Sequence, residues 1–283
     1  MGSLHCGGKQ LDVCSTSPAH VMGILNVTPD SFSDGGLFVS ASNALAQARQ
    51  MVLDGAAIID VGGESTRPGA TAVSVQQELD RVIPVIERIH QEIDTIISVD
   101  TSKPEVMRAA VNAGAGMIND VRALREAGAL QAAVQAVDEK NVAVCLMHMS
   151  GEPREMQLNP QYDDVVNDIK DFLQARIAAC TAAGIDADRL LIDPGFGFGK
   201  TVAHNLSLVK NLSAFAALGK PIVMGVSRKS TIGTLLNRKT EQRLAGSIAL
   251  ATLCCQFGAN IIRAHDVAAT VDAARIVHAV RSA

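Results

Sequence analysis

The chain alternates short apolar runs with longer segments in which apolar residues recur at helical spacing. Eight runs are continuously apolar and rich in β-branched side chains, a pattern typical of parallel strands that are buried on both faces. These runs predict strands at 20–27, 56–63, 95–100, 116–121, 142–149, 190–193, 221–227 and 259–266.

Between the runs, apolar residues return at the spacing of one face of an amphipathic helix. Gly55 and Gly184 follow two of these segments and are typical helix stops, and a last helix is predicted over 268–280. The clearest helical faces are formed by Ala44, Leu45, Ala48, Met51 and Val52, by Val75, Leu79, Val82, Ile83, Ile86 and Ile89, and by Val165, Ile169, Phe172, Leu173, Ile177 and Cys180.

Eight strand–helix units in roughly 250 residues predict an α/β fold, a single-domain TIM (β/α)8 barrel. A doubly wound open sheet is the alternative, because periodicity does not show whether a sheet closes. No linker rich in Pro, Gly or Ser divides the 283 residues. We therefore assign 20–283 to one barrel domain and 1–19 to an N-terminal extension or initial hairpin region.

Composition narrows the possible partners. The chain is 48% hydrophobic and 19% charged, with a net charge of −4 and no long run of Lys or Arg, which argues against a nucleic-acid or membrane-surface protein. No apolar stretch reaches the ~20 residues of a membrane span, and the first residues lack the apolar core of a secretory signal. Six cysteines without C-x-x-C spacing predict buried free thiols in a reducing cytoplasm.

Each predicted strand ends in hydrogen-bonding or charged side chains, and in a TIM barrel such ends meet on one rim. Any one of them could simply cap a helix or a loop, but a feature shared by eight strands favours a functional site. The residues are Asn26, Glu64, Ser65, Thr66, Arg67, Asp100, Asn119, Asp120, His148, Asp193, Ser227, Arg228, Lys229, Arg263 and His265.

The polar residues of the predicted rim fall into two groups, hydrogen-bond acceptors and positively charged or neutral donors. Asp100, Asn119 and Asp193 supply mainly acceptors, which suit a flat heterocycle with a donor-rich edge. The donors and positive charges, which suit a phosphate or pyrophosphate, come from Asn26, Arg67, Lys229, Arg263 and His265. Two loops rich in Gly, Ser, Thr and Pro, at 26–38 and 62–72, are predicted to cover this rim.

Seven motifs occur in order along the chain: GILNVTPDSFSDGG, IIDVGGESTRPGA, ISVDTSKPEV, INDV, DPGFGFGK, GVSRKS and IIRAHDV. Together they resemble bacterial dihydropteroate synthases, the folate-pathway enzymes targeted by sulfonamides, from about His20 to the last helix. The resemblance implies that 6-hydroxymethyl-7,8-dihydropterin pyrophosphate is joined to p-aminobenzoate, giving 7,8-dihydropteroate and pyrophosphate. It further implies Mg²⁺ as the cofactor and a homodimer that uses the late helices.

The resemblance also implies roles for individual residues. The implied catalytic set is Asp34, Arg67, Asp100 and Lys229. The pterin would be held by Asp100, Asn119, Asp193 and Lys229, the Mg²⁺ by Asn26, and the pyrophosphate by Arg263 and His265. The implied p-aminobenzoate contacts are Pro68, Phe198 and Ser230. Further substrate-binding positions are Thr66, Val121, Met147, Gly225 and Ser227.

The segment DPGFGFGKT at 193–201 is similar to a nucleotide phosphate loop, whose pattern is G-x-x-x-x-G-K-[ST]. The spacing excludes that function, because the first glycine would have to stand at 194, which is Pro194. With the resemblance, the segment is interpreted as a strand that delivers Asp193, followed by glycines that let Phe198 reach the site. Lys200 is expected at the surface.

The expected mechanism is an SN1-like substitution, because an electron-rich dihydropterin can stabilise a cation at its exocyclic CH₂. A neutral arylamine needs no general base, so His148 is expected to have a structural role beneath the site. The alternatives are a pterin-binding barrel of the methyltetrahydrofolate corrinoid methyltransferase type and a non-catalytic pterin-binding protein. The predicted pyrophosphate site argues against both.

Overall fold

The protein is described by a computed structural model of residues 2–27, 36–65, 72–151 and 160–283. Four residues that the sequence assigns to catalysis or substrate binding lie outside these ranges: Asp34, Thr66, Arg67 and Pro68. Most of the two predicted cover loops lies outside them as well.

Strands and helices alternate as the sequence predicts, and most predicted strand ends agree to within two or three residues. The strands are β1 Ser3–Cys6, β2 Lys9–Asp12, β3 His20–Asn26, β4 Ile58–Gly62, β5 Ile96–Asp100, β6 Met117–Asp120, β7 Ala143–Met147, β8 Leu190–Asp193, β9 Val223–Met224 and β10 Ile261–Ala264. The α-helices are α1 Gly36–Leu53, α2 Val75–Glu92, α3 Pro104–Asn112, α4 Ala129–Lys140, α5 Val165–Ala182, α6 Val202–Lys210, α7 Ser230–Leu236, α8 Leu244–Gln256 and α9 Val267–Ser282. Short 3-10 helices lie at Ala187–Arg189, Leu212–Leu218 and Thr240–Gln242.

The eight strands β3 to β10 form one parallel sheet in the order β8-β7-β6-β5-β4-β3-β10-β9. A parallel bridge between Ile192 and Ile222 joins the two end strands, and the Ile192 amide donates to the Pro221 carbonyl at 3.0 Å. The sheet therefore closes on itself. The predicted TIM barrel is confirmed, and the open doubly wound sheet is excluded.

Alternate residues on each strand face opposite sides of the sheet. Ile59 and Val61 of β4 belong to the apolar layer between the barrel and its helices, together with Val82 and Ile86 of α2. Asp60 lies between Ile59 and Val61 in sequence and therefore points into the barrel. This alternation brings the polar side chains inward at the carboxyl ends of the strands.

The opposite end of the barrel is packed with apolar side chains. The antiparallel hairpin β1–β2 and the residue after it contribute Leu4, Cys6, Leu11 and Val13 to a cluster with the first inward residues of the strands, among them Met22, Ile58, Ile96, Met117, Leu191, Val223 and Ile261. The hairpin lies so close that a methyl group at Gly116 would stand 2.4 Å from the Cys6 carbonyl oxygen. The division of the chain at 19/20 stays a prediction.

Candidate active site

A buried ion-pair network occupies the barrel interior just below the rim. Asp60 Oδ2 accepts hydrogen bonds from Arg263 Nε at 2.6 Å and from Asn119 Nδ2 at 3.3 Å. Arg263 Nη2 donates to Asp100 Oδ2 at 2.7 Å. Asp60 is 0% exposed, and its second oxygen has no partner among the described residues. One guanidinium thus links strands β4, β5 and β10.

Burial and neighbouring charges shift the pKa values of the groups in this network. It raises the pKa of Asp100 to about 7, although the positive charge of Arg263 acts in the opposite direction. Burial lowers the pKa of Arg263, but the carboxylates of Asp60 and Asp100 outweigh it, and the net shift is upward. Arg263 therefore stays protonated, while Asp100 can change its charge near neutral pH.

Asp193 ends β8 and faces the same interior. Its Oδ1 accepts a hydrogen bond from the Gly195 amide at 2.7 Å, and burial raises its pKa despite that bond. The ammonium of Lys229 lies 4.0 Å from the centre of the Phe198 ring, a cation–π distance. Burial, then the charge of Arg263, lowers the pKa of Lys229 to about 8.

The rim continues on β3, β9 and β10. His265 Nδ1 lies 3.0 Å from Ser227 Oγ, which also accepts a hydrogen bond from the His265 amide at 3.2 Å. On β3, Asn26 lies near Gly62, as Asp100 does: a methyl group at Gly62 would lie 3.8 Å from Asn26 Oδ1 and 3.8 Å from Asp100 Oδ2. Side-chain oxygens and donors therefore stand at the carboxyl ends of these neighbouring strands, as the ion-pair network does.

An apolar wall flanks the polar groups. Val121, Met147, Met149 and Phe198 form a separate buried cluster, next to Asn119 and Asp193 in sequence or register. Gly225 adjoins Arg263, since a methyl group there would stand 3.9 Å from Arg263 Cβ. The site thus combines a charged floor with an apolar side.

In the loop after β8, the expected surface position of Lys200 is wrong. Lys200 is 3% exposed, not a surface residue: its ammonium donates to Gly195 O and Phe198 O, both at 2.9 Å, and to His148 Nδ1 at 3.0 Å. Gly195 has φ 73°, and a methyl group there would lie 1.8 Å from the His148 carbonyl oxygen. The loop turns inward against β7, so its lysine follows it into the interior.

Two further predicted positions lie at the edge of this arrangement. Ser230 is the exposed first residue of α7. Arg228 turns away to Asp266, with Nε–Oδ2 at 3.0 Å and Nη2–Oδ1 at 2.5 Å. The described structure therefore brings together Asn26, Asp100, Asn119, Val121, Met147, Asp193, Phe198, Gly225, Ser227, Lys229, Arg263 and His265.

Comparisons with known proteins agree with this geometry. A family model described as "Pterin binding enzyme" matches residues 22–265. The dihydropteroate synthase of Escherichia coli K12 is 53% identical over 280 residues, which cover 99% of this chain and 97% of that protein. The chain belongs to the dihydropteroate synthase family.

Solved structures of this family share the whole fold. Yersinia pestis dihydropteroate synthase in a sulfonamide drug complex is 52% identical with a TM-score of 0.93, covering 99% of this chain and 100% of that chain. Xanthomonas albilineans dihydropteroate synthase with 4-aminobenzoic acid is 52% identical with a TM-score of 0.92, covering 100% and 99%. The chain is accordingly a transferase with dihydropteroate synthase activity, and the activity predicted from the sequence is confirmed.

In this member of the dihydropteroate synthase family, Asp60, Met149 and Lys200 also lie at the site, although they were not predicted there from the sequence. A signal for Asp60 existed: it is the one charged residue in the run AAIIDVGG, and it shares the inward face with Ile58 and Gly62. Met149 could have been found beside Met147 at strand spacing. No local signal indicated the burial of Lys200, because one of its acceptors lies 52 residues away.

Proposed function

We propose that the chain catalyses a dissociative, SN1-like substitution in which 6-hydroxymethyl-7,8-dihydropterin pyrophosphate loses pyrophosphate and is captured by p-aminobenzoate. The observation that carries the proposal is the group of acceptors formed by the buried Asp60, Asn119 and Asp193 and the partly buried Asp100, with the cations of Lys229 and Arg263 beside it. Acceptors suit the donor-rich edge of a pterin, and fixed cations suit the departing anion.

The pterin would lie over the acceptors, with its amino–amide edge toward Asp193. Asp193 has one oxygen bonded to Gly195, and ionised carboxylate oxygens each accept more than one hydrogen bond. Asp60 Oδ1 is buried without a partner among the described residues. A buried acceptor without a partner is stabilised when a donor binds it. The Oδ1 atom of Asp60 therefore favours a donor-rich heterocycle nearby.

The p-aminobenzoate ring would lie on the apolar wall that includes Phe198. The Xanthomonas albilineans structure contains 4-aminobenzoic acid and the Yersinia pestis structure a sulfonamide drug, and we extend both ligands to this chain. Asp34, Thr66, Arg67 and Pro68 would complete the pocket. Their roles rest on the sequence resemblance alone.

Mg²⁺ fits the residues present. Mg²⁺ is usually held by one or two protein oxygens together with substrate phosphates and water, and the Asn26 amide oxygen lies near Gly62 at the rim. No cluster of three or more His, Cys, Asp or Glu side chains suited to a metal occurs among the described residues, so substrate oxygens would supply the remaining ligands. When bound, the ion would neutralise charge on the pyrophosphate leaving group.

The chain's own residues would then act in sequence. Lys229, Arg263 and His265 would hold the leaving pyrophosphate, while the acceptors below keep the pterin in place as its C–O bond breaks. The lone pair of the arylamine would form the new C–N bond, and its proton would pass to solvent. His148 is unsuited as a base, because burial lowers its pKa to about 2 and Lys200 occupies its Nδ1.

One assay tests the proposed reaction: pyrophosphate release measured with both substrates and with each alone. We expect release to require both. Ring-substituted anilines and aminobenzoates should change the rate of the chemical step only weakly, because a cation forms before the amine attacks. A strong dependence on amine basicity would contradict the SN1-like route. Release that does not need p-aminobenzoate would contradict p-aminobenzoate as the required second substrate.

A homodimer in the cytoplasm is part of the proposal. Leu235 and Leu236 of α7 are each 50% exposed, and Leu244 and Leu253 of α8 are 46% and 44% exposed; such apolar side chains favour a protein partner. No helix in the described ranges is both long and apolar enough to cross a membrane, and Cys6, Cys145, Cys180, Cys254 and Cys255 are buried free thiols. Sedimentation of wild type and of Leu235→Glu/Leu236→Glu tests the dimer; we expect the variant to be monomeric.

A further inference from the structure

Lys200 occupies a buried position that the proposed chemistry does not use. Lysine is almost never fully buried unless its charge is paired or satisfied. Here the ammonium donates to three acceptors: Gly195 O, Phe198 O and His148 Nδ1, at 2.9, 2.9 and 3.0 Å. These contacts use all three N–H groups of the ammonium, so the lysine joins two points of its own loop to the end of β7.

The two carbonyls that Lys200 holds belong to residues that face the site. The amide of Gly195 donates to Asp193 Oδ1 at 2.7 Å. The ring of Phe198 packs on the ammonium of Lys229 at 4.0 Å. A shift of the loop backbone at Gly195 or Phe198 would therefore move both the carboxylate that faces the pterin and the ring that faces p-aminobenzoate.

Other contacts hold the outer part of the same loop. The Tyr162 hydroxyl donates to Gly199 O at 2.8 Å, and Asn205 Oδ1 accepts from the Gly197 amide at 2.7 Å. Without Lys200 these contacts would keep the loop attached to the barrel. The two inner carbonyls, however, would lose their donor, so the loss should fall on the substrate-facing side rather than on the fold as a whole.

We propose that Lys200 is a positioning residue of the reaction, which holds the loop 194–199 so that Phe198 and Asp193 stand ready for p-aminobenzoate and the pterin. The inference rests on the proposed function. It assigns a use to the lysine of the DPGFGFGK motif that is neither phosphate binding nor surface charge. The lysine touches no substrate and acts through the backbone of its loop.

Lys200→Met keeps an unbranched side chain that is one atom shorter and removes all three donors. A hydrogen bond to a charged group is worth roughly one to two decades in an equilibrium constant, so we expect the KM for p-aminobenzoate to rise at least about tenfold. The affinity for the pterin should fall by a smaller factor, because the pairing of Asp193 with Met147 of β7 limits the shift of its carboxylate. The matched control is Lys220→Met, since Lys220 also donates to a carbonyl, Ala187 O at 2.5 Å, but lies outside the site; its KM values should equal those of wild type.

A purely structural role predicts a different result. Lys200→Met would then melt at a lower temperature, yet the folded protein would keep both KM values within about twofold of wild type, and the inference would be overturned. If Lys200→Met does not fold, His148→Leu removes one of the three acceptors. It should raise the KM for p-aminobenzoate severalfold, and an unchanged value would overturn the inference equally.

The test separates this inference from the proposed function. If the wild-type protein releases no pyrophosphate with both substrates, the proposed function itself is wrong. If the wild-type protein is active but the KM for p-aminobenzoate is unchanged in Lys200→Met, only the role of Lys200 is wrong.

Discussion

Asp60 Oδ2 and Arg263 Nε lie 2.6 Å apart inside the barrel, although 203 residues separate them in the chain. Asp60 is fully buried, and the Arg263 side chain is 19% exposed. The same carboxylate oxygen accepts from Asn119. One buried acidic residue therefore sets the position of a cation and of an amide that both face the proposed substrates.

Asp60→Asn tests the importance of this relationship. Breaking a buried ion pair outright costs ~3–5 kcal/mol. Arg263 keeps Asp100 as a partner and the new amide oxygen can still accept, so we expect a smaller loss of roughly 1–3 kcal/mol in the free energy of unfolding. Pterin affinity should fall at least ~tenfold, since ~1.4 kcal/mol corresponds to one decade. Urea denaturation and calorimetry measure both.

The control for this variant is Asp94→Asn. Asp94 pairs with Lys9 at the surface with a side chain that is 94% exposed, and exposed pairs contribute little. Both measurements should match wild type. Unchanged pterin affinity in Asp60→Asn would show that Arg263 and Asn119 are positioned without Asp60.

Asp193→Asn tests the proposed pterin contact. Asparagine keeps the volume and can still accept from Gly195, but its NH₂ would face a donor of the pterin. A buried unsatisfied donor costs ~1–3 kcal/mol, so the pterin substrate should bind at least ~10-fold more weakly. Pyrophosphate affinity and the melting temperature should change little. Normal pterin binding would mean that Asp193 serves only to hold the loop at Gly195.

The lowered pKa of Lys229 predicts that catalytic efficiency depends on pH. Burial and the charge of Arg263 lower its pKa to about 8, although Asp193 and Asp100 act in the opposite direction. Because the lysine loses its charge above that pH, kcat/KM for the pterin pyrophosphate, which reports the free enzyme, should fall as the pH rises through about 8. Lys229→Arg should shift this fall to higher pH, because guanidinium stays protonated.

The lowered pKa of Lys229 also determines whether stability rises or falls with pH. The folded protein binds fewer protons at Lys229 than the unfolded chain between about pH 8 and the ordinary value of 10.5, so this residue makes stability rise with pH over that range. Lys200 is the neighbouring lysine that could titrate instead, since burial lowers its pKa to about 7. An alkaline fall in kcat/KM that persists in Lys229→Arg and disappears in Lys200→Met would assign the effect to Lys200.

Asn26→Ala tests the proposed Mg²⁺ contact. Removing one oxygen ligand should weaken pyrophosphate binding in the presence of Mg²⁺ by roughly tenfold or more, as loss of supporting groups at metal sites does. With Mg²⁺ chelated, wild type and variant should bind pyrophosphate equally. Calorimetry under the two conditions measures the difference, and an equal loss in both would place Asn26 on the phosphate rather than on the metal.

The elements of the fold could be predicted because their signals are local. The run TIISVD and the helical face of Val82, Ile86 and Ile89 predicted β5 and α2, and the Ser74–Gln77 capping box marks where α2 begins. Strand β9 is the least accurate case: 221–227 was predicted and Val223–Met224 is observed. This strand lies at the barrel seam, where Ile222 makes a bridge instead of a ladder, and a seam has no signature in the sequence.

The sequence by itself determined the order of strands and helices, the motifs of the family, and the polar side chains that follow each strand. Periodicity and strand ends depend on near neighbours in the chain, which is why they can be read before the fold is known. The tertiary structure alone decided that Asp60 pairs with Arg263 and that Lys200 is buried against His148. Both contacts join strands or loops far apart in sequence, and only the register of the closed barrel brings their atoms within hydrogen-bonding distance.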